Sequence, residues 1–202
     1  MSKFWCLVAL VSALQFVKPC CLPRQIQFDM TVKGYEEFGG EKFYYTDHRT
    51  YYYDEDRNCT FMRSESGDFQ LRILTNYSSG TEYTVGDNCY MRSLSITFEK
   101  MCLSDNAVFQ REIITRNGTI FTRVHVYKAD ISDYDRVFER EYGVVSEGET
   151  CYFLWWKDTD RARSMGDREY SPETVTFTNI QRQILDNSVF EVPEICAEAE
   201  IF

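Results

Sequence analysis

Short stretches with β-type alternation, separated by turn residues about every ten positions, constrain the fold of this chain more than any other feature. In the first, residues 25–33, the apolar side chains of Ile26, Phe28, Met30 and Val32 alternate with polar ones. Strict alternation predicts a strand with one buried face. Its recurrence along the chain predicts antiparallel β structure throughout.

The connections between these stretches carry turn chemistry. Further β-type runs cover residues 43–45, 51–53, 70–74, 81–85, 89–97, 111–115, 119–127, 151–156 and 174–178. Asn117-Gly118 lies between two of them, and Asn-Gly in that setting is a strong hairpin signal. Residues 131–142 are the one predicted helix, with Ser132 as its N-cap and Asp133 and Asp135 in its first turn.

The N-terminus is typical of a cleaved leader. Lys3 is followed by an apolar run over residues 4–13, and Val11-Ser12-Ala13 resembles a signal-peptidase site. A membrane span needs about 20 apolar residues, and this run is shorter. We therefore expect a signal peptide over residues 1–13, followed by one domain over 14–202, because no repeat, linker or shift in composition divides the rest.

Cysteine usage indicates the same compartment. Of eight cysteines, Cys6 lies in the leader, and the others are widely spread without a C-x-x-C pair: Cys20, Cys21, Cys59, Cys89, Cys102, Cys151 and Cys196. Such spacing favours disulfides over zinc. Seven is an odd number, so either one thiol is free and buried or one cysteine crosslinks two chains, with the adjacent pair Cys20-Cys21 as the obvious source.

Three N-x-[ST] sequons, at Asn58, Asn76 and Asn117, predict N-glycosylation of a secreted chain.

A formal net charge of −10 argues against nucleic acid as a partner, because phosphate binding needs a cationic surface. No later segment reaches the length of a membrane span, and a secreted, extracellular protein without a transmembrane segment is expected.

Motifs of catalysis are missing from the sequence. It contains no G-x-S-x-G and no phosphate-binding glycine loop. Of the two histidines, His125 falls in a predicted strand, where a structural role is expected, and His48 in a polar stretch interpreted as a solvated loop. The sequence predicts neither an enzyme nor an organic cofactor.

Two features suggest binding. Asp54 with Asp56, and Asp158 with Asp160, place carboxylates close enough to share a calcium ion, although neither matches the twelve-residue calcium loop. The chain is also 16% aromatic, most densely after Cys151. Since barrels and half-barrels enclose ligand cavities, the candidate lining of an apolar pocket is Tyr152, Phe153, Trp155 and Trp156.

The order of these elements resembles the ependymin-related family of secreted glycoproteins. The residues that carry the resemblance are Cys20-Cys21-Leu22-Pro23, Tyr53-Asp54, Tyr83-Thr84-Val85 followed by Cys89, the strand at Cys151, and the closing Ser188-Val189-Phe190-Glu191-Val192-Pro193-Glu194-Ile195-Cys196. The likeness covers nearly the whole mature chain. Its motifs are short, and the C-terminal Val-Phe-x-x-Pro-x-x-Cys is the most specific.

The resemblance implies a mainly β fold. In it, curved antiparallel sheets form a half-open barrel with a hydrophobic pocket, similar to bacterial lipoprotein carriers, with one or two short helices. It also implies the disulfides Cys20–Cys151 and Cys89–Cys196. A Cys59–Cys102 disulfide would then leave Cys21 spare or for an intermolecular link, and the further C-terminal cysteine of some relatives is missing here.

We therefore expect a secreted glycoprotein of extracellular fluid or matrix, in a family with lysosomal relatives. It is expected to bind lipid or another apolar ligand, to associate with calcium and to form a homodimer. The alternative is a structural or adhesive module that acts through dimerisation and calcium, with matrix or cell-surface partners and no physiological pocket ligand.

Overall fold

A computed structural model describes residues 20–38, 40–66, 69–117, 119–133, 136–148, 150–160, 173–197 and 200–201. The predicted leader, residues 1–13, lies outside them. The described residues form twelve strands: β1 Gln25–Phe38, β2 Glu41–Asp54, β3 Cys59–Ser66, β4 Phe69–Asn76, β5 Thr81–Val85, β6 Cys89–Ser93, β7 Val108–Asn117, β8 Ile120–Asp133, β9 Arg136–Glu147, β10 Thr150–Asp160, β11 Thr174–Gln181 and β12 Glu200–Ile201. Two short 3-10 helices span Asn187–Phe190 and Glu194–Cys196.

All twelve strands belong to one sheet. Their order is β12-β6-β5-β4-β3-β2-β1-β11-β10-β9-β8-β7, and every neighbouring pair is antiparallel except β12 with β6. The sheet does not close on itself, since β12 and β7 lie at opposite edges. The mainly β, open architecture with short helices that was expected is thus confirmed.

The two faces of the sheet differ, as the alternation in β1 requires. Ile26, Phe28, Met30 and Val32 are buried on what we term the core face. The intervening side chains of β1, among them Asp29 and Thr31, lie on what we term the opposite face. The core face holds the main hydrophobic cluster, to which β2, β8, β9, β10 and β11 contribute Tyr53, Tyr127, Tyr142, Phe153 and Phe177.

A long connection covers the core face. Residues 94–107, which we term the crossing segment, link β6, beside one edge of the sheet, to β7 at the other. Leu103 is buried in the main cluster, and Phe98, Met101 and Ala107 pack against it. A segment without regular structure thus takes the place of a second layer over the sheet.

The C-terminal segment covers part of the opposite face. Cys196 is buried with Val85 and Cys89, and Tyr83 packs against this second, smaller cluster. Ile184 is also buried on the way to it. The sheet is therefore covered on one face by the crossing segment and on the other by the end of the chain.

The hairpin predicted at Asn117-Gly118 is confirmed, because Asn117 pairs with Ile120 across β7 and β8. The helix predicted over residues 131–142 is wrong. Ile131 pairs with Phe138 and Ala129 with Arg140 in the β8–β9 ladder. Ser132, predicted as the N-cap, and Asp133, predicted in the first helical turn, instead end β8, because serine and aspartate favour turns as much as helix N-termini. Asp135 lies outside the described residues.

Candidate functional site

Two disulfides follow the pairing that the family resemblance implied. Cys20 is bonded to Cys151 and Cys89 to Cys196, with Cα–Cα distances of 5.5 and 5.1 Å. The first ties the start of the described chain to β10. The second ties the C-terminal segment to the start of β6, which holds that segment against the opposite face.

The third disulfide corrects the expected pairing of Cys59 with Cys102 and the role given to Cys21. Cys21 is bonded to Cys102, and Cys59 is a free, buried thiol. The backbone explains this pairing, since Leu22 N donates to Met101 O at 2.8 Å and Leu103 N donates to Cys20 O at 2.7 Å. These bonds place the two segments side by side at the cysteines.

Cys59 is separated from Cys102 by the sheet itself. In the β2–β3 register Cys59 pairs with Asp54, on the opposite face, whereas the crossing segment that carries Cys102 covers the core face. Burial raises the pKa of the Cys59 thiol, and the nearby carboxylate of Asp54 raises it further. The thiol is therefore protonated at neutral pH and a poor nucleophile.

The apolar cavity of the core face is very small. It has a volume of about 10 Å³ and is lined by Leu22, Ile26, Phe28, Met101, Tyr152, Phe153, Phe177 and Ile180. A cavity of about 10–15 Å³ on this measure is just large enough for one water molecule. Tyr152 and Phe153 thus line apolar space as predicted, but the crossing segment, through Met101, leaves no room there for an acyl chain.

The two tryptophans of the predicted pocket lie on different faces. Trp156 is on the core face, with its ring centroid 4.8 Å from that of Phe177. Trp155 lies on the opposite face, directly over Gly143 of β9. Trp155 is therefore removed from the candidate pocket, because consecutive residues of a strand point to opposite faces.

The candidate calcium ligands of the β2–β3 turn form other contacts. Asp54 is fully buried; its Oδ1 accepts a hydrogen bond from Arg57 N at 3.0 Å, and its Oδ2 accepts one from the side chain of Gln25 at 3.1 Å. Asp56 is half exposed and pairs with Arg24. Asp54 thus closes the turn, and Asp56 is neutralised by an arginine.

The other candidate ligands are Asp158 and Asp160. Both oxygens of Asp158 accept hydrogen bonds from Arg140, at 2.5 and 2.8 Å. The side chain of Asp160 lies outside the described residues. In the described ranges, no group of three or more histidine, cysteine, aspartate or glutamate side chains is arranged to hold a metal ion.

All three sequons lie at the same end of the sheet. Asn58 is in the β2–β3 turn, Asn76 at the β4–β5 turn and Asn117 at the β7–β8 turn. The first two turns are neighbours in the strand order, and the third lies at the far edge of the sheet. Asn58 is exposed, and its amide nitrogen donates to the hydroxyl of Ser78 in the neighbouring sequon at 3.3 Å. The side chain of Asn117 lies outside the described residues.

The two histidines lie in strands. His125, in β8 on the core face, has its Nε2 3.3 Å from Glu112 Oε2, and both groups are partly exposed near the β7 edge. His48 lies in β2, not in a loop as interpreted from the sequence, because its neighbours pair with β1 and β3. Its Nδ1 is 3.3 Å from the hydroxyl oxygen of Thr31.

A larger concavity is polar and lies on the opposite face. It has a volume of about 280 Å³ and is lined by Asp29, Met30, Thr31, His48, Arg49, Thr50, Arg63, Glu65 and Thr178, from β1, β2, β3 and β11. We term it the polar depression. Sequence reasoning missed it, although the polar residues that alternate with the core residues of β1 are the signal that locates this face.

Comparisons with known proteins add no family or function. No family model matches the chain, and no curated protein matches it either. Among solved structures, it is similar to a DUF1329 family protein from Desulfovibrio piger, with 9% identity, a TM-score of 0.34, and coverage of 84% of this chain and 90% of the other. That similarity is too low to support any functional conclusion.

None of the helices in the described part of the chain is long and apolar enough to cross a membrane.

Proposed function

We propose that this protein is a secreted, N-glycosylated member of the ependymin-related family that binds lipid or another hydrophobic ligand on the core face of its sheet. Support for the family comes from the two disulfides that the resemblance implies, Cys20–Cys151 and Cys89–Cys196, both of which are formed. Three disulfides are typical of an oxidising, extracellular compartment.

One observation carries the ligand proposal. In the part of the chain that the structure describes, the aromatic and aliphatic core face is covered by an irregular segment and not by a second sheet or a helix. Near the cavity, the crossing segment is joined to the rest of the chain by the two backbone hydrogen bonds of Met101 and Leu103 and by the Cys21–Cys102 disulfide. A hydrogen bond between the Tyr53 phenol and the Met101 backbone and the ion pair of the exposed Lys100 with Glu55 add to these attachments. Displacing the side chains on either side of Cys102 exposes apolar surface without breaking a strand pair.

The small volume of the cavity determines how a ligand could bind on the core face. Because about 10 Å³ accommodates no acyl chain, ligand binding requires Met101 to leave the position in which it lines the cavity. The ligand then replaces one apolar contact with another, and its affinity depends on the free energy of moving the crossing segment. The mechanism uses no catalytic residue.

Titration with a fluorescent fatty acid, together with native mass spectrometry and lipid extraction of the secreted protein, tests this function. Met101→Ala removes a side chain that lines the cavity and is expected to tighten fatty-acid binding several-fold. Ile96→Ala, in the same segment but 56% exposed, is the matched control and is expected to leave binding unchanged. Absence of extractable lipid, with no binding by either wild type or Met101→Ala, would contradict the proposal.

The small cavity favours a second candidate, a structural or adhesive module that acts through association and calcium. Its supporting observation is exposed apolar surface at the β7–β8 hairpin, where Ile114 is 67%, Ile120 67% and Phe121 68% exposed, next to the open β7 edge. Surface of this kind is typical of interaction sites. The partner in this candidate is a second copy of the chain.

Light scattering coupled to gel filtration, in calcium and in chelator, separates the two candidates. For the module we expect a dimer that requires calcium and that Ile114→Lys disrupts. Ile195→Lys, at a position 52% exposed elsewhere on the molecule, is the control and leaves the dimer intact. A monomer under both conditions argues against the module.

A further inference from the structure

The polar depression on the opposite face is too hydrophilic for the ligand proposed above. Besides Thr178 of β11, six of its lining residues carry polar or charged side chains on that face: Asp29, Thr31, His48, Thr50, Arg63 and Glu65. They form two neighbouring rows across three strands, because Arg63 pairs with Thr50 and Thr50 with Asp29, while Glu65 pairs with His48 and His48 with Thr31. Such a surface offers both hydrogen-bond donors and acceptors to a small molecule.

The charges of the depression leave a negative centre. Two arginines line the depression, and each has a carboxylate partner. Arg63 Nε lies 3.3 Å from Glu65 Oε1, and Arg49 Nε lies 2.6 Å from Asp47 Oδ2. Asp29 is half-buried at the floor, and its donors among the described residues are neutral groups, Thr50 Oγ1 at 3.0 Å and Asn179 Nδ2 at 2.6 Å. Within the described ranges, no basic side chain pairs with Asp29.

A β-bulge builds this floor. The β1–β11 register shifts between Asp29, which faces Thr178, and Gln27, which faces Gln181, so β11 carries one extra residue. Asn179 lies in the bulge with φ +50°, an uncommon conformation for a residue other than glycine. Bulges re-aim side chains and are frequent beside binding sites. Here the bulge directs the Asn179 amide to Asp29, which fixes the carboxylate.

The carboxylate retains acceptor capacity. An ionised carboxylate offers about four lone-pair sites, and Thr50 and Asn179 occupy two of them. A partly desolvated carboxylate without a cationic neighbour favours a positively charged ligand, since opposite charges attract more strongly near a protein surface than in bulk water. Threonine hydroxyls, the His48 imidazole and the Arg63–Glu65 pair surround it with groups suited to hydroxyls and amides.

We propose that the polar depression binds a small hydrophilic cation, an amine that also carries hydroxyl or amide groups, with its ammonium group on Asp29. The volume of about 280 Å³ suits a molecule the size of a monosaccharide. Among the described lining residues, the imidazole of His48 is the only aromatic ring, so the depression has no carbocyclic platform for stacking a neutral sugar. The site is independent of the core face and of its ligand.

Glucosamine and glucose are the matched probes, because they share shape and hydroxyls and differ in one ammonium group. Calorimetry or NMR titration of the wild-type protein is expected to show glucosamine binding with a Kd on the order of 1 mM and no saturable glucose binding. Equal binding of the two sugars overturns the cationic ligand. No binding of glucosamine up to about ten times that concentration overturns the site.

Asp29→Asn is expected to weaken glucosamine binding about tenfold or more. Asp87→Asn removes the same charge from an exposed turn and is expected to leave it unchanged. Thr178→Lys keeps both hydrogen bonds of Asp29 and places a cation at the exposed rim, so it should weaken glucosamine binding by repulsion. This variant tests the proposal if Asp29→Asn fails to fold. Unchanged binding in Thr178→Lys also overturns the proposal.

Discussion

Arg140 and Asp158 form a bidentate ion pair across β9 and β10. The Arg140 Nε donates to Asp158 Oδ1 at 2.5 Å, and an Arg140 Nη donates to Asp158 Oδ2 at 2.8 Å. The guanidinium also lies 4.6 Å from the ring centroid of Trp156. Both side chains are mostly buried, 22% and 17% exposed. Arg140→Met strands the Asp158 carboxylate and is expected to lower the free energy of unfolding by about 2 kcal/mol, measured by urea denaturation.

Two further variants test whether the Arg140–Asp158 pair contributes more to stability than an exposed ion pair does. Arg140→Met combined with Asp158→Leu should recover most of the loss, because no unpaired charge remains. Arg111→Met breaks the more exposed pair with Glu141 and is expected to cost about 0.5 kcal/mol. If Arg140→Met and Arg111→Met lower the free energy of unfolding equally, the buried pair contributes no more to stability than the exposed one.

Gly143 is expected to tolerate no side chain. A Cβ at this position would overlap the indole of Trp155 on the opposite face. Gly143→Ala should therefore lower the thermal midpoint, with a loss of about 1–3 kcal/mol. Combining Gly143→Ala with Trp155→Leu should recover part of the lost stability, because the smaller leucine side chain removes the overlap with the added Cβ. If the double variant is less stable than Gly143→Ala, the contact is not the cause.

Stability is expected to fall in alkali because of the core tyrosines. Desolvation raises the pKa of Tyr51 to about 12, while its hydrogen bond with Thr60 acts in the opposite direction. Since unfolded tyrosine ionises near pH 10, the folded protein holds its proton more tightly than the unfolded chain above that pH. The contribution of Tyr51 is thus complete below about pH 10 and is lost as pH rises towards 12.

Denaturation curves between pH 9 and 12 measure this loss. Tyr51→Phe has no proton to lose at this position, so its stability should decline less steeply over that range. Absorbance at 295 nm should show the Tyr51 phenol titrating after the exposed tyrosines. A wild-type protein whose stability is flat to pH 12 contradicts the prediction.

The free thiol and the third disulfide make one chemical prediction. Native protein treated with iodoacetamide at neutral pH should react slowly at Cys59, because the thiol is buried and its pKa is raised, and completely in denaturant. Peptide mapping without reductant should recover Cys21 linked to Cys102. Recovery of Cys59 linked to Cys102 would contradict the structure.

Removing the Cys21–Cys102 disulfide should loosen the crossing segment. The bond joins residues 81 positions apart, and closure of a loop of that length accounts for about 4 kcal/mol in the chain-entropy description. The double variant Cys21→Ser, Cys102→Ser should unfold at lower denaturant and bind more of an apolar dye. Unchanged stability and dye binding would mean that backbone contacts alone hold the segment.

The sequence predicts much of the fold because one-sided burial imposes a period of two. The alternation of Ile26, Phe28, Met30 and Val32 locates β1 and its buried face correctly. Where two local signals compete, local reasoning fails. Ser132 and Asp133 suit a helix cap and a hairpin turn equally well, and long-range pairing of β8 with β9 decides between them.

The candidate sites depend on contacts between distant residues and are harder to predict. Trp155 and Trp156 are consecutive, so the pleat of β10 places them on opposite faces. The bulge between Phe153 and Trp155 decides which of the two faces the core, and the sequence does not show that bulge. The alternation in β1 locates the face that carries the polar depression, but Asp29, Arg63 and Thr178 come from three separate strands, and no local pattern predicts that they lie together. Cysteine counting predicts an odd thiol but not which side of the sheet it occupies.

The crossing segment also has a consequence for the order in which the molecule acquires its structure. Strands β1 to β6 are synthesised first, yet their core face is completed only by Leu103 and by Tyr142, Phe153 and Phe177 from the later half. The central β1–β11 pair joins residues about 150 positions apart. Native contacts so distant in sequence slow folding, and a partly finished sheet exposes apolar surface and open edges. Assembly therefore waits for the whole chain.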